Sequence, residues 1–426
     1  MRRSGLSLRG ITVHSSTVIA AAVMAAGIFA PPAAADPGAP AGPAGVAVAP
    51  VAYVVNQNSG TVTPISTATN NAGKAIGTGR FPGAAAITPD GKTVYVANGG
   101  SNTVTPIRTA TNTAGQAIRV GAGPFAIAIT PDGKTVYTAN NSTDTVTPIR
   151  TATNRAGRAI TVGTAPDAIA ITPDGTTAYV ANFISGTVTP ISTATNTAGQ
   201  AITAGGMRGP AFIAITPDGT TAYVANSGAG TVIPIHTATN AAGKAIKVGP
   251  NPAFIAITPD GKTAYVANSG AGTVIPIHIA TNTAGRAIKV GPNPAFIAIT
   301  PDGKTAYVAN SLGDTVTPIR TATNTAGPAI TVGIDPEAIA ITPDGKTAYV
   351  VNLDGTVSPI QTATNTVGLA ITVGTSPQAI AMTRDGTTAY VANFGSGSVT
   401  PIRTATNAAG KQIKVGQGPV AIAITP

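Results

Sequence analysis

The stretch IAITPDGKTAYVAN occupies Ile297–Asn310, stands unchanged at Ile255–Asn268, and recurs with small changes along most of the chain. Ile297 and Ile299 precede Pro301-Asp302-Gly303, and Ala306 and Val308 follow it. Apolar residues at alternate positions mark a strand, because successive side chains of an extended backbone leave on opposite faces. Proline presets the first corner of a turn, aspartate bonds back to its own backbone, and glycine takes a positive φ without a Cβ clash. Two alternating runs around such a turn predict a β-hairpin.

The tyrosine of the second strand recurs at Tyr53, Tyr95, Tyr137, Tyr179, Tyr223, Tyr265, Tyr307, Tyr349 and Tyr390, which are all nine tyrosines of the chain. Their spacing is 42 residues, with single departures to 44 and 41. A period of this length suits a four-stranded propeller blade. In the unit around Tyr307 the reading is strand A at Ile297–Thr300, strand B at Thr305–Asn310, strand C at Thr315–Ile319 and strand D at 328–332. Proline stands inside strand C of every unit, as Pro318 does here. It removes a ladder donor, so strands C and D are expected to pair poorly near it, with D frayed.

These units resemble the bacterial YVTN-type β-propeller repeat, on the residues YVAN, TATN and the Gly-Pro step into AIAITPDGKTAYVAN. The resemblance covers about 51–426. It implies a propeller, often on secreted or cell-surface proteins, with lactonase-like and quinoprotein-subunit-like relatives. Two departures stand out: the proline in strand C, and the residue before TATN, usually acidic in the family, which here is Arg320, His236, His278 or another non-acidic residue.

The repeats begin at a strand B, with Tyr53, and end just after a strand A, Ala421 to Pro426. The expected fold is therefore all-β, a propeller of about nine four-stranded blades closed by pairing of the N- and C-terminal strands. Val46 to Pro50 competes for the closing slot, and an open spiralling stack is the alternative architecture.

Residues 1–35 read as a signal peptide: Arg2, Arg3 and Arg9, an apolar run Thr17 to Ala30, and small residues Ala33-Ala34-Ala35 before Asp36. Arg2-Arg3 leaves Sec and twin-arginine export both open. Residues 36–50, rich in Pro, Gly and Ala, read as a linker. The expected domain is 51–426, secreted or extracellular, either soluble or held at the cell wall, with no integral membrane segment.

No cysteine is present, which excludes thiolate catalysis and cysteine-ligated metal. The formal charge is +10, and paired basic residues such as Lys244/Lys247 and Arg286/Lys289 fall in strand D. Lysines on an outer edge strand block sheet-to-sheet association. The competing reading is attraction to an anionic wall polymer. Specific nucleic-acid binding is not expected, since there is neither a recognition helix nor an aromatic-basic platform.

The AB turn (TPDG) and CD turn (TATNxAG) hardly vary among the units, whereas the BC loop and the DA step do. Strand parity puts BC and DA segments on one face, so sequence individuality collects there, where binding residues usually lie. The residue after the DA proline is expected at the channel mouth. Around the ring it is Gly83, Phe125, Asp167, Ala211, Ala253, Ala295, Glu337, Gln378 and Val420. The candidate ligand-binding residues are Asp167, Asp335, Glu337, Gln378 and Phe125. No catalytic residue, metal site or cofactor is expected: Asp167 and Glu337 fall four blades apart, and His236 and His278 are accounted for by duplication of nearly identical units. The expectation is a non-enzymatic scaffold that binds a protein or cell-wall polymer through its variable face. The alternatives are a lactonase- or lyase-like enzyme and a self-associating surface-layer protein.

Overall fold

The computed structural model describes residues 50–426 except Ala204, Gly205 and Met207. The expected signal peptide and all of the linker but Pro50 lie outside the described residues. Nine antiparallel sheets form nine blades, numbered here 1 to 9 from the one that contains Tyr53. No helix among the described residues is long and apolar enough to cross a membrane.

Blade 7 shows the pattern. Strand A is Pro294–Ile299, strand B Thr305–Asn310 and strand C Thr315–Arg320. The AB turn closes on itself: Thr300 Oγ1 donates to Asp302 Oδ1 at 2.6 Å, and Lys304 N–H donates to the same oxygen at 3.0 Å. Gly303, at φ 70°, donates to Thr300 O at 2.8 Å. Its Lys304–Asp302 ion pair is exposed and contributes little.

Pro318 does not interrupt the ladder with strand B, where it pairs with Tyr307. Its carbonyl instead accepts Gly327 N–H, from strand D, at 2.8 Å. The N and C=O of one strand residue point the same way, so the missing N–H faces strand D. That strand is accordingly broken in two: Thr325–Ala326 pairs with the end of C, and Ile330–Thr331 with its beginning. The expected fraying takes this form, and the continuous run expected over 328–332 is shortened to two residues.

Blade 1 takes its strands B and C from Val51–Asn56 and Thr61–Ser66, and its strand A from Pro419–Ile424. Val54 pairs with Ile422 and Ala52 with Ile424. The terminal strands thus close a nine-bladed ring, and the slot for which Val46 to Pro50 competed is filled by Pro419–Ile424. The innermost strands adjoin in order, and Pro419–Ile424 touches both Pro377–Met382 and Pro82–Ile87.

The core lies between blades. Tyr307 and Ala309 of blade 7 pack with Ile339 and Val350 of blade 8 in one buried cluster, and small alanines let the sheets approach. Each tyrosine is fully buried and donates its hydroxyl to the TATN asparagine of the next blade, as Tyr307 does to Asn365 at 2.7 Å. That asparagine has φ 56°, a conformation that asparagine tolerates better than most residues.

Candidate functional site

The BC loops and DA steps interlock on one face. Ser311 N–H donates to Asn293 O at 3.0 Å, and Leu353 N–H to Asp335 O at 3.2 Å. The last BC-loop residue takes a positive φ, which selects glycine, asparagine or aspartate. Gly272 and Gly397 serve in this way, while Asn102, Asp144 and Asp314 also accept a backbone N–H from the following DA step. Part of the sequence variation on this face is therefore dictated by the backbone.

Each strand A enters through a bulge. Pro336 pairs with Asn352 and Ala338 with Val351, so Glu337 has no cross-strand partner of its own. The same shift recurs in blade 4, where Asp167 is the extra residue between Pro166 and Ala168. All the expected channel-mouth positions lie at this bulge.

The two bulge carboxylates live differently. Asp167 is partly buried and accepts a short hydrogen bond from Asn141 Nδ2, on the BC loop of blade 3. Burial nonetheless pushes its carboxyl up to about 6. Glu337 is only 8 % exposed. Burial, with the charge of Asp335 added, pushes it up to about 7. Asp335 is raised too, by burial and then by Asp314.

The structure brings Asp335 and Glu337 together and puts Gln378 at the equivalent bulge of the adjoining blade. Asp167 is four blades away, beside its own neighbour Phe125, whose ring packs into the gap between blades 3 and 4. The five residues thus form two separate groups. Among the described residues no three His, Cys, Asp or Glu side chains converge as a metal site. His236 and His278 end strands C and are exposed on the opposite face.

Asn141, Asp314 and Asp354 were not singled out from the sequence. Asp354 accepts Ile334 N–H at 2.9 Å and Thr356 N–H at 3.0 Å. The clue was available: aspartate or asparagine at loop positions where other units carry glycine. The variable face also carries Phe81, Phe183, Ile184, Leu312 and Ile334, five of the seven exposed large apolar residues described. Outside the eight AB-turn aspartates, every acidic residue of the described chain is here: Asp144, Asp167, Asp314, Asp335, Glu337 and Asp354. Only Arg80 and Arg208 accompany them in these loops. The mouth is therefore acidic on a protein that is basic overall.

Two cavities indent the opposite face. One, of about 210 Å³, lies between blades 7 and 8 beside Arg320 and Asn365. The other, of about 600 Å³, lies where Pro50 and Pro426 meet Arg384.

The YNCE-like beta-propeller family matches residues 11–144 and 263–352, more than half of the chain. The chain belongs to that family. Among solved structures, dihydro-heme d1 dehydrogenase NirN in complex with DHE is similar with a TM-score of 0.63 and 14% identity, over 87% of this chain and 74% of that one. Apo AztD from Citrobacter koseri is similar with a TM-score of 0.57 and 12% identity, over 88% and 97%. Hydrazine synthase from Kuenenia stuttgartiensis has 24% identity over 66% and 96%, with a TM-score of 0.49. At these identities the likeness is one of fold. No curated protein matches the chain.

Proposed function

We propose that this propeller is an exported, non-enzymatic binding scaffold whose BC/DA face engages a protein or cell-wall polymer. The observation that carries this reading is segregation. Sequence individuality, six carboxylates and most exposed large apolar residues share one face, while the opposite face repeats one CD turn nine times and one AB turn eight times with little change. Apolar anchors set among charges are what recognition surfaces carry, whereas a repeated turn face has structural work to do. The basic start, apolar run and small-residue site within residues 1–35 support export.

The test is retention of mature chain 36–426 on purified cell envelopes, with Leu312→Ala/Ile334→Ala compared against the opposite-face pair Arg320→Ala/Arg403→Ala. Loss with the first pair and not the second supports the reading. Loss with only the second pair sinks it.

A second reading, self-association into a surface layer, is favoured by the opposite charge of the loop face and the basic outer strands. Sedimentation velocity at low and high salt distinguishes it: concentration-dependent growth that salt abolishes is its signature.

A further inference from the structure

The outer strand of blade 8 departs from the repeat at two places. The second residue after the TATN asparagine is alanine in the other eight units and Val367 in blade 8. Two residues further on, the other units carry lysine, arginine, glutamine or proline, and blade 8 carries Leu369. Val367 is 42% exposed and Leu369 93%, the highest value among the exposed large apolar residues described. Leu369 lies between the two pieces of strand D, Thr366–Val367 and Ile371–Thr372. Aliphatic side chains held in water forgo the free energy of burial, and soluble sheets place polar or charged residues on their edges. The other units obey that rule at the position of Leu369.

Cations flank this edge. Arg320 ends strand C of blade 7, Arg403 ends strand C of blade 9, and Lys411 occupies in blade 9 the repeat position of Leu369. All three are exposed, and the ion pairs among the described residues are all lysine–aspartate pairs within AB turns. The AB-turn aspartates of these blades are already engaged. Asp302 pairs with Lys304 at 3.4 Å and Asp344 with Lys346 at 3.2 Å, while Asp385 accepts the N–H and hydroxyl of Thr387 at 3.0 and 2.9 Å. No acidic residue occurs in strands C and D of blades 7, 8 and 9 or in the turns between them.

The patch is continuous across three blades. Ile330–Thr331 of blade 7 adjoins Thr366–Val367, and Ile371–Thr372 adjoins Ala408–Ala409 of blade 9. The cavity of about 210 Å³ between blades 7 and 8 opens beside it, lined by Arg320, Pro328 and the Asn365 that precedes Val367 in the same turn.

We propose that the outer edge of blade 8 docks on an anionic lipid bilayer. Val367 and Leu369 enter the boundary between headgroups and acyl chains. Arg320, Arg403 and Lys411 pair with lipid phosphates, Arg320 from the wall of the cavity. Burial of the aliphatic pair supplies one part of the affinity and attraction to anionic headgroups the other. A second copy of the chain fits this edge less well, because a two-fold contact would bring the same three cations of each copy together with no acid between them. The surface is separate from the BC/DA face, and neither reading depends on the other.

The chain contains no tryptophan, so one introduced indole reports its own surroundings. Leu369→Trp is the probe, and Gln200→Trp, at the same repeat position in blade 4, is the control. Mature chain 36–426 is titrated with vesicles of phosphatidylcholine alone and of phosphatidylcholine and phosphatidylglycerol in about equal parts, at low and high salt. The native chain is expected to cosediment with the mixed vesicles and not with phosphatidylcholine alone, and high salt weakens the binding. Fluorescence of Leu369→Trp shifts to the blue on the mixed vesicles, and that of Gln200→Trp does not. Val367→Ala/Leu369→Gln restores residues that other units carry, so it keeps the native melting point while weakening vesicle binding at least tenfold. Arg320→Gln/Lys411→Gln also weakens it at least tenfold. Absence of native binding to the mixed vesicles, binding that survives Val367→Ala/Leu369→Gln, or an equal blue shift of both tryptophan variants overturns the proposal. Sedimentation velocity without lipid covers the other occupant: self-association that Val367→Ala/Leu369→Gln abolishes, with no vesicle binding, assigns the edge to a second copy and overturns it too. Envelope retention repeated on wall material stripped of lipid removes the bilayer contact and leaves the loop-face test to stand by itself.

Discussion

The phenol of Tyr390 donates to Oδ1 of Asn70 at 2.6 Å, across 320 residues of chain. It is the ninth member of a set that begins with Tyr53 and Asn112. The joint that closes the ring is therefore made like the joints between consecutive blades.

Tyr390→Phe and Tyr307→Phe should each lower stability by about 1 kcal/mol, the usual net worth of one hydrogen bond. Chemical denaturation of the two variants checks this. A Tyr390→Phe cost near zero beside an intact Tyr307→Phe cost would mean that the ring is open in solution.

Alkaline pH should unfold the protein late and steeply. Burial raises all nine tyrosines from 10.0 to about 12. A raised folded pKa gives stability that is whole below the unfolded value and lost as pH climbs through the folded one. Stability should hold to about pH 10 and collapse between there and 12. Phenolate absorbance at 295 nm should rise together with the loss of β-sheet circular dichroism. Ionisation that runs ahead of unfolding would show that the hydroxyls are accessible.

Glu337→Gln should stabilise at pH 8 and change little at pH 5. The carboxyl sits at about 7 in the fold against an ordinary 4.5, so the folded state prefers it protonated, and stability is lost as pH rises through 7. Removing the charge should recover on the order of 2 kcal/mol at pH 8. Thermal melts of both proteins at the two pH values test it, and an equal shift at both would point to packing rather than charge.

Two glycines near the end of strand D, two positions apart in the repeat, should differ in tolerance. A Cβ on Gly291 would lie 2.7 Å from the Cβ and Cγ of Asn310, a fully buried side chain bonded to Thr315 and Thr317. A Cβ on Gly77 would meet nothing within 4 Å. Gly291→Ala should cost about 1–3 kcal/mol by overpacking, and Gly77→Ala should be neutral. Urea midpoints decide between this and equal effects.

Much of the fold was legible in the repeat. Pro301-Asp302-Gly303 announces its hairpin through local chemistry, and Pro318 correctly points to the break in strand D. The direction of that break was not legible, because it depends on which side of the strand the proline nitrogen faces. The TATN asparagine reads as a turn residue, and its second role as acceptor for a tyrosine one blade back needs two units side by side. On the variable face, a single unit does not show that the carboxylates of Asp314 and Asp354, on the loops of blades 7 and 8, hold adjacent backbone N–H groups of the one DA step that runs between them.

The sequence by itself determined the period, strands A to C of each blade and the face on which BC and DA segments lie, because hydrophobic alternation, turn residues and strand parity act within about 42 residues. Tertiary structure decided what happens between units: that Pro419–Ile424 pairs with Val51–Asn56 to make nine blades into a ring, and that Asp167 takes a hydrogen bond from Asn141 whereas Glu337 is raised by burial and by the charge of Asp335. Those outcomes rest on groups distant in the chain or on neighbouring blades, and on desolvation, which arises only when the blades are packed.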